Sequence, residues 1–570
     1  MRLWKYIKEY KVSATIGFVF KVLEAVLELA VPIVMADIID KGIKNQDTNY
    51  IYHRGILLVL LGVGGYLFAL VCQYYASKAS QGVGTALRTD LYKKINTYDY
   101  RNLDSLSAPT LVTRISNDVI QIQLAVAMTI RLTSRAPFLI IGSLIMSFII
   151  SSKLSFIFVI GGVVLAIVML GITIISVPYF RIIQKKLDTI SRITRENLQG
   201  IRVIRAFSKQ KKEKKRFYKE TKDQQDTQVK VGKIQALSNP LTYVIVNIAI
   251  IIIVYQGGLQ VQIGDLTQGE IIALVNYMNQ ILLALIVFTN VLTIYNKASA
   301  SYTRVMEVLD EEPSIIETDS NFTWDDNQPR LQFEDVNFAY QGNNVLKDVS
   351  FTLQPGETLG IIGGTGAGKS TVVNLIGRFY DVQSGNIYIG GNSILDISTT
   401  QLRRDIGIVP QQAALLSGTL RENLILGNVE ATDEEIYQAL EIAQAKDFID
   451  SLPDGLDTMI VQGGKNVSGG QRQRITIARA LLKKPKILIL DNSDSALDNM
   501  TSVALRRALQ TVSDVSTIII SQRTFALEHA DQILVLYHGD VVGYNTHQEL
   551  LKSCEVYQEI YNSQQIKEDK

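Results

Sequence analysis

At 570 residues the chain exceeds what one hydrophobic core supports, so two or more domains are expected. A formal net charge of +2 gives no electrostatic case for nucleic acid or an acidic partner, and two distant cysteines, Cys72 and Cys554, offer neither a disulfide framework nor a metal-ligand spacing. The mean hydropathy of +0.15 is high for a soluble protein, and the apolar residues crowd into the part before about residue 300.

The opening MRLWKYIKEYK is basic and amphipathic, and reads as a helix lying on the lipid surface. The apolar run behind it is too long for a signal peptide and lacks a small-residue cleavage site. Crossing a bilayer as helix takes about 20 mostly apolar residues. Six stretches qualify: residues 12–35, 55–76, 133–151, 154–177, 236–257 and 271–294. Only SSK separates the third from the fourth, which implies a tight turn.

The basic residues set the orientation. Arg88, Lys93, Lys94, Arg101 and Arg114 lie between the second and third spans, and KQKKEKKR between the fourth and fifth. The fifth and sixth are joined by QGGLQVQIGDLTQ, without lysine or arginine. The positive-inside bias therefore puts both termini and the two long loops in the cytoplasm. Those loops are rich in helix formers and poor in Gly and Pro, so they are expected as helices running on beyond the membrane. In the first span Lys21, Glu24 and Glu28 share one helical face. Lys21 and Glu24 suit a self-neutralising pair, which leaves Glu28 as the candidate for a substrate-facing carboxylate. Tyr74, Tyr75, Tyr243, Tyr277, Phe288 and Tyr295 could line a cavity or simply pack.

Residues 309–330 are acidic and polar, and mark a linker between a membrane domain at 1–308 and a nucleotide-binding domain at 331–570. Beyond it, LGIIGGTGAGKST runs an apolar strand into G-x-x-x-x-G-K-S and then a helix. That context makes the pattern a phosphate site. Gly363, Gly364, Thr365, Gly366, Ala367 and Gly368 supply a loop whose backbone N–H groups wrap phosphates. Lys369 reaches the β- and γ-phosphates of ATP, the Ser370 hydroxyl ligates Mg²⁺, and Thr371 continues into the helix. The run ILILD delivers Asp491 to the same ion from a buried strand. A second glycine-rich helix start, with Ser468, Gly469, Gly470 and Gln471, is a second anion site.

Together these features resemble an ABC exporter half-transporter of the type IV fold over essentially the whole chain. The implied fold is an α-helical membrane domain of six transmembrane helices, with long cytoplasmic extensions, fused to an α/β P-loop nucleotide-binding domain. VSGGQ at 467–471 resembles the family's signature motif, and SALD, ending at Asp498, its D-loop. Gln411 matches the Q-loop glutamine that contacts Mg²⁺, and Tyr340 the aromatic that stacks on adenine. The resemblance also implies that two such chains sandwich two ATP molecules, each held by one chain's phosphate loop and the other's signature helix. It places coupling helices near residues 113–119 and 206–214.

Two positions depart from the family pattern. A glutamate that polarises the attacking water is expected after Asp491, and this chain has Asn492. Loss of such a base is worth about 10²–10⁴ in rate. The family's histidine after the following strand is here Gln522. The pair of changes resembles the degenerate-site subunit of heterodimeric bacterial multidrug exporters, in the plasma membrane, with a different half-transporter as partner. A homodimeric exporter with slow sites and an ATP-gated regulator or channel are the alternatives. An importer is disfavoured by the fusion of membrane and ATPase halves, and the transported substrate is not legible.

Overall fold

The computed structural model describes residues 3–318, 322–340, 342–512 and 514–565. The chain divides into two compact units. One comprises Met1–Thr97 and Leu106–Glu311, the other Tyr98–Ser105 and Glu312–Lys570.

The first unit is helical. Among the described residues, five helical stretches have the length and apolar composition to cross a membrane: Thr48–Asn96, Ala108–Ile150, Ser152–Gln199, Gln210–Gln262 and Gln268–Asp310. The 49 residues of the first amount to roughly 70 Å of helix, more than twice the ~30 Å hydrocarbon core. Helix continuing past the membrane, as the sequence implied, follows from that length. Its apolar side chains point outward, with Ile56, Val59 and Leu60 each about 60% exposed, a surface suited to lipid rather than water. The stretch expected as the first span forms the helix Lys11–Asp37, which falls outside those five because Lys21, Glu24 and Glu28 interrupt its apolar run.

Those charges are paired. Lys21 Nζ lies 2.8 Å from Glu24 Oε2 one turn away. Glu28, which has no obvious local partner in the sequence, is paired at long range: Arg135 Nη2 stands 2.6 Å from its Oε2. The arginine is 107 residues distant in the chain, so local spacing could not reveal it. Tyr277 packs rather than lines a cavity; it is buried and its hydroxyl donates to Leu29 O at 2.7 Å. The turn at SSK reduces to Ser151, whose extended backbone breaks the helix and whose hydroxyl accepts from Leu154 N to start the next.

The second unit is α/β. Its strands are β1 (Leu331–Tyr340), β2 (Asn343–Leu353), β3 (Thr358–Gly363), β4 (Ser384–Ile389), β5 (Asn392–Ser393) and β6 (Ile406–Val409). Then come β7 (Gly418–Thr419), β8 (Met459–Ile460), β9 (Ile487–Asp491), β10 (Ser516–Ile520), β11 (Gln532–Tyr537) and β12 (Asp540–Asn545). Six form a sheet in the order β12-β11-β3-β10-β9-β6, parallel except for β12 at one edge. An antiparallel sheet β2-β1-β4-β5 and the small pair β7-β8 complete the unit. Strand β9 is buried along its whole length, as a near-continuous apolar run in a parallel sheet should be. β10 lies between β3 and β9, with Ile520 paired to Ile361 on one side and Asp491 on the other. The loops leaving these three neighbours at their C-terminal ends meet at one edge, the usual ligand position in an open α/β sheet.

The early segment Tyr98–Ser105 groups with this second unit. Asp99 Oδ2 accepts from Ser314 N at 2.5 Å and Ser314 Oγ at 2.7 Å, Tyr100 stacks on Phe379 at 4.4 Å, and the Tyr380 hydroxyl donates to Asp104 at 2.5 Å. The family resemblance implies a coupling helix near residues 113–119. That stretch belongs to the first unit, where Asp118 is held by Ser301 and Arg304. The early residues that group with the nucleotide-binding fold are Tyr98–Ser105. The other expected coupling stretch, 206–214, runs from the end of the helix Ile201–Ala206 through a short exposed turn into the start of the helix Gln210–Ala236, within the first unit.

Candidate nucleotide site

The phosphate loop leaves β3 at Gly363 and ends at Gly368, where the helix Lys369–Ile376 begins. Two of its glycines have no room for a side chain, and a third, Gly366, has φ +81°. Gly368 has φ +103°, and a Cβ there would lie 2.6 Å from Leu346 Cδ2. Gly363 would place a Cβ 2.3 Å from Leu536 O. Gly364 and Gly366 instead face open space, with no atom within 4 Å of a Cβ, which leaves the loop's concave side free for a ligand. Thr365 sits exposed on the turn, while Ala367 and Thr371 are buried beneath it. Lys369 folds over the loop, its Nζ donating to Gly363 O at 2.7 Å and Gly364 O at 2.8 Å. Burial pushes its ammonium below the ordinary lysine range, against the nearby Asp491 charge.

Ser370 Oγ donates to Asp491 Oδ2 at 3.3 Å. The other carboxylate oxygen of Asp491 is buried without a hydrogen-bond partner. Burial raises the Asp491 carboxyl above the usual carboxylate range, outweighing the Ser370 hydrogen bond and the Lys369 charge. A hydroxyl beside an unsatisfied buried carboxylate oxygen fits Mg²⁺, a hard cation that takes one or two protein ligands and completes its shell with phosphate and water. Gln411, the third expected ligand, is exposed on the turn just beyond β6.

Asn492 follows Asp491 directly. It is 8% exposed and has φ +47°, a left-handed backbone that asparagine tolerates better than most residues. Its N–H donates to Ile520 O at 2.9 Å, and its carbonyl accepts from Ser495 Oγ at 2.8 Å. Backbone bonds thus fix the position, and its side chain is a neutral amide. Gln522 is exposed just after β10, at the same edge of the sheet.

The remaining expected residues occupy two helix starts and one cavity. Ser468 caps the helix Gly469–Leu481 in a reciprocal box with Gln471. A Cβ on Gly470 would lie 2.9 Å from Ala496 O, whereas Gly469 has open space. Asp498 caps the helix Asn499–Gln510, accepting from Thr501 N and Oγ1, and those bonds hold its carboxyl below the usual range. Among the described residues, no hydrogen bond or ion pair joins these helix starts to the phosphate loop. Tyr340 ends β1, accepts from Asn374 Nδ2 at 3.1 Å, and lines a cavity of about 330 Å³ with Arg101, Asp104, Phe338, Tyr380 and Gln383.

Sequence reasoning missed three contributors. Arg101 and Asp104 reach the Tyr340 cavity from the early segment, and nothing in their local sequence signals this. Asp494 accepts from Ser521 Oγ at 3.0 Å and ties the loop after β9 to the loop after β10. It stands in the polar run between strand and helix, where such a tie could have been sought.

An ATP-binding α/β unit and a long-helix unit on one chain define a membrane transporter coupled to an ATPase. Residues 14–285 match the ABC transporter transmembrane region, and residues 346–495 match the ABC transporter family. The chain is 36% identical over 561 residues to the uncharacterized ABC transporter ATP-binding protein YfiB of Bacillus subtilis, covering 98% of this chain and 97% of that one. It is 30% identical over 576 residues to the ATP-dependent lipid A-core flippase of Desulfotalea psychrophila, with 99% of each covered. The structure of a bacterial Atm1-family ABC exporter with ATP bound shares the fold, with a TM-score of 0.81 at 23% identity over 98% of both chains. The chain belongs to the ABC transporter family.

Proposed function

We propose that this chain is one subunit of an ATP-driven exporter whose own phosphate loop binds MgATP but turns it over slowly, while its VSGGQ helix completes a competent site on a different half-transporter. The observation that carries this reading is Asn492, a neutral amide at the buried strand end where the family's resemblance calls for a carboxylate. Gln522, exposed at the same sheet edge, supports it. The capped but otherwise open start at Gly469 supports a role toward a second chain.

In this reading the loop N–H groups and Lys369 hold the phosphates, and Tyr340 offers its ring to the base. Ser370, Gln411 and Asp491 would hold Mg²⁺, which when bound would neutralise phosphate charge. Asn492 accepts a hydrogen bond from water but takes no proton from it, so nucleotide binds and closes the dimer without rapid cleavage. The lysine and arginine asymmetry supports six spans, the helix Lys11–Asp37 included, with both ends and the nucleotide-binding domain cytoplasmic at the plasma membrane. For cargo we favour amphiphilic compounds of the multidrug type, and the relative named a lipid A-core flippase is in keeping with that class.

The test is ATP turnover by the purified chain alone, by the chain with its partner, and by Asn492→Glu with Gln522→His. Slow turnover alone, and faster turnover at this site after restoration in the assembled transporter, are expected. Rapid hydrolysis by the unmodified chain by itself would contradict the degenerate site and favour a homodimeric exporter.

A further inference from the structure

The loop after β10 is held from behind by the C-terminal helix. Gln564, near the end of the helix Glu555–Gln565, places its whole side-chain amide on two residues of that loop, through three hydrogen bonds. Its Oε1 accepts from Thr524 N at 2.9 Å and Thr524 Oγ1 at 3.0 Å, and its Nε2 donates to Gln522 O at 2.8 Å. The helix itself is fixed two turns earlier on the same face. Tyr557 is fully buried against Ile533, Val535 and Leu550, and its hydroxyl bonds His547 Nδ1 at 2.7 Å. The front of the loop is tied by Ser521 to Asp494, and its far end by Arg506, which donates to Phe525 O at 2.9 Å.

Gln522 is therefore an exposed side chain on a loop whose backbone is bonded on each side of it. It leaves the sheet from the strand between those that deliver the phosphate loop and Asp491. We propose that Gln564 is a positioning residue that sets Gln522 for contact with the γ-phosphate, so that the C-terminal helix governs how well this site tells ATP from ADP. The inference rests on the nucleotide-site reading above. A neutral amide has only hydrogen-bond geometry to offer a phosphate. It lacks the charge a histidine could carry, and is correspondingly sensitive to where its backbone is held.

The experiment measures MgATP and MgADP affinities of the full chain in lipid nanodiscs for the unmodified protein, Gln522→Ala, Gln564→Ala and the double variant. The ratio of the two affinities should fall in Gln522→Ala by roughly tenfold, the order expected for a lost hydrogen bond to a charged group. It should fall by a similar factor in Gln564→Ala, with no further fall in the double variant, because the two residues act through one contact. MgADP affinity should stay unchanged throughout. An unaltered ratio in Gln564→Ala, equal losses for ATP and ADP, or an additive loss in the double variant would each overturn the positioning role. An unaltered ratio in Gln522→Ala would remove Gln522 from the phosphate contact, and the positioning role would go with it. Retained MgATP binding in Lys369→Ala would instead reject the nucleotide-site reading itself. If Gln564→Ala does not fold, Thr524→Val, which removes one of the three bonds, should lower the ratio by a smaller factor, and no change there counts against the role.

Discussion

The hydroxyl of Ser370 donates to the carboxylate of Asp491 across 3.3 Å, joining the first turn after the glycine loop to a strand end 121 residues later. The second oxygen of that carboxylate has no partner and is buried. Asp491→Asn should therefore abolish the gain in ATP affinity that Mg²⁺ confers, while Ser370→Ala should reduce it several-fold. Titrating nucleotide with and without Mg²⁺ checks both. Equal affinities with and without the ion in the unmodified chain would refute the assignment.

Nucleotide binding should fail from both ends of the pH scale. Burial raises the Asp491 carboxyl, so as pH falls the metal-binding carboxylate is lost before an ordinary aspartate, at about 3.9, would protonate. Burial lowers the Lys369 ammonium, so as pH rises the phosphate-binding charge is lost before an ordinary lysine, at about 10.4, would deprotonate. Phosphate binding favours the charged lysine, so affinity declines through the lysine's free-site pKa rather than rising. A pH series of MgATP affinity should show the alkaline loss removed in Lys369→Arg, provided that variant binds.

An acid in the signature helix separates the two-chain sandwich from a self-contained site, and Gly469 is the position to use. A side chain at Gly470 would press on the chain's own Ala496 carbonyl, whereas Gly469 has open space. An aspartate in the first turn is favourable to the helix itself, so folding should survive. With wild-type partner, Gly469→Asp should nearly abolish turnover by placing negative charge where the partner's γ-phosphate approaches. Lys369→Ala should leave a substantial fraction. Complete loss in both would defeat the asymmetric arrangement.

Cysteine labelling tests the orientation. Both native cysteines are buried, so background reaction should be low. In whole cells Gln262→Cys should react with an impermeant thiol reagent and Lys212→Cys should not. The reverse pattern would invert the topology.

Restoring the catalytic carboxylate should lower stability. Asn492 is left-handed at φ +47°, where asparagine is tolerated and most side chains cost about 1–2 kcal/mol. Asn492→Glu should lower the Tm of the second unit by a few degrees even where it raises turnover, as a calorimetric scan of the two proteins would show.

Much of the site was legible in the sequence because its chemistry is local. The glycine loop, Lys369 and Ser370 are contiguous, and Asp491 ends a recognisable apolar strand. What could not be read was long-range pairing. Glu28 meets Arg135 through the packing of two helices, and Gln564 meets Gln522 and Thr524 because two elements converge at one corner of the sheet. Spacing reports helical faces, not which faces touch. The grouping of Tyr98–Ser105 with the second unit was illegible for the same reason: TRISNDV is polar and interrupts an apolar pattern, but its aspartate turns inward to Arg304, whereas the aromatic pair within the second unit, Tyr100 on Phe379, carries no periodic signal.

The segment Tyr98–Ser105 has a consequence for how this chain is born. The nucleotide-binding unit is discontinuous, and its first piece leaves the ribosome some 200 residues ahead of the rest. Until Phe379 and Tyr380 are made, Tyr100 and Asp104 have nothing to dock on, so the two ends of the unit must find each other after the intervening helices have been threaded into the bilayer. A fragment cut at the linker would carry the glycine loop and the whole large sheet, yet leave an aromatic face uncovered. Translation order and membrane insertion are thereby written into the completion of a domain that lies outside the membrane.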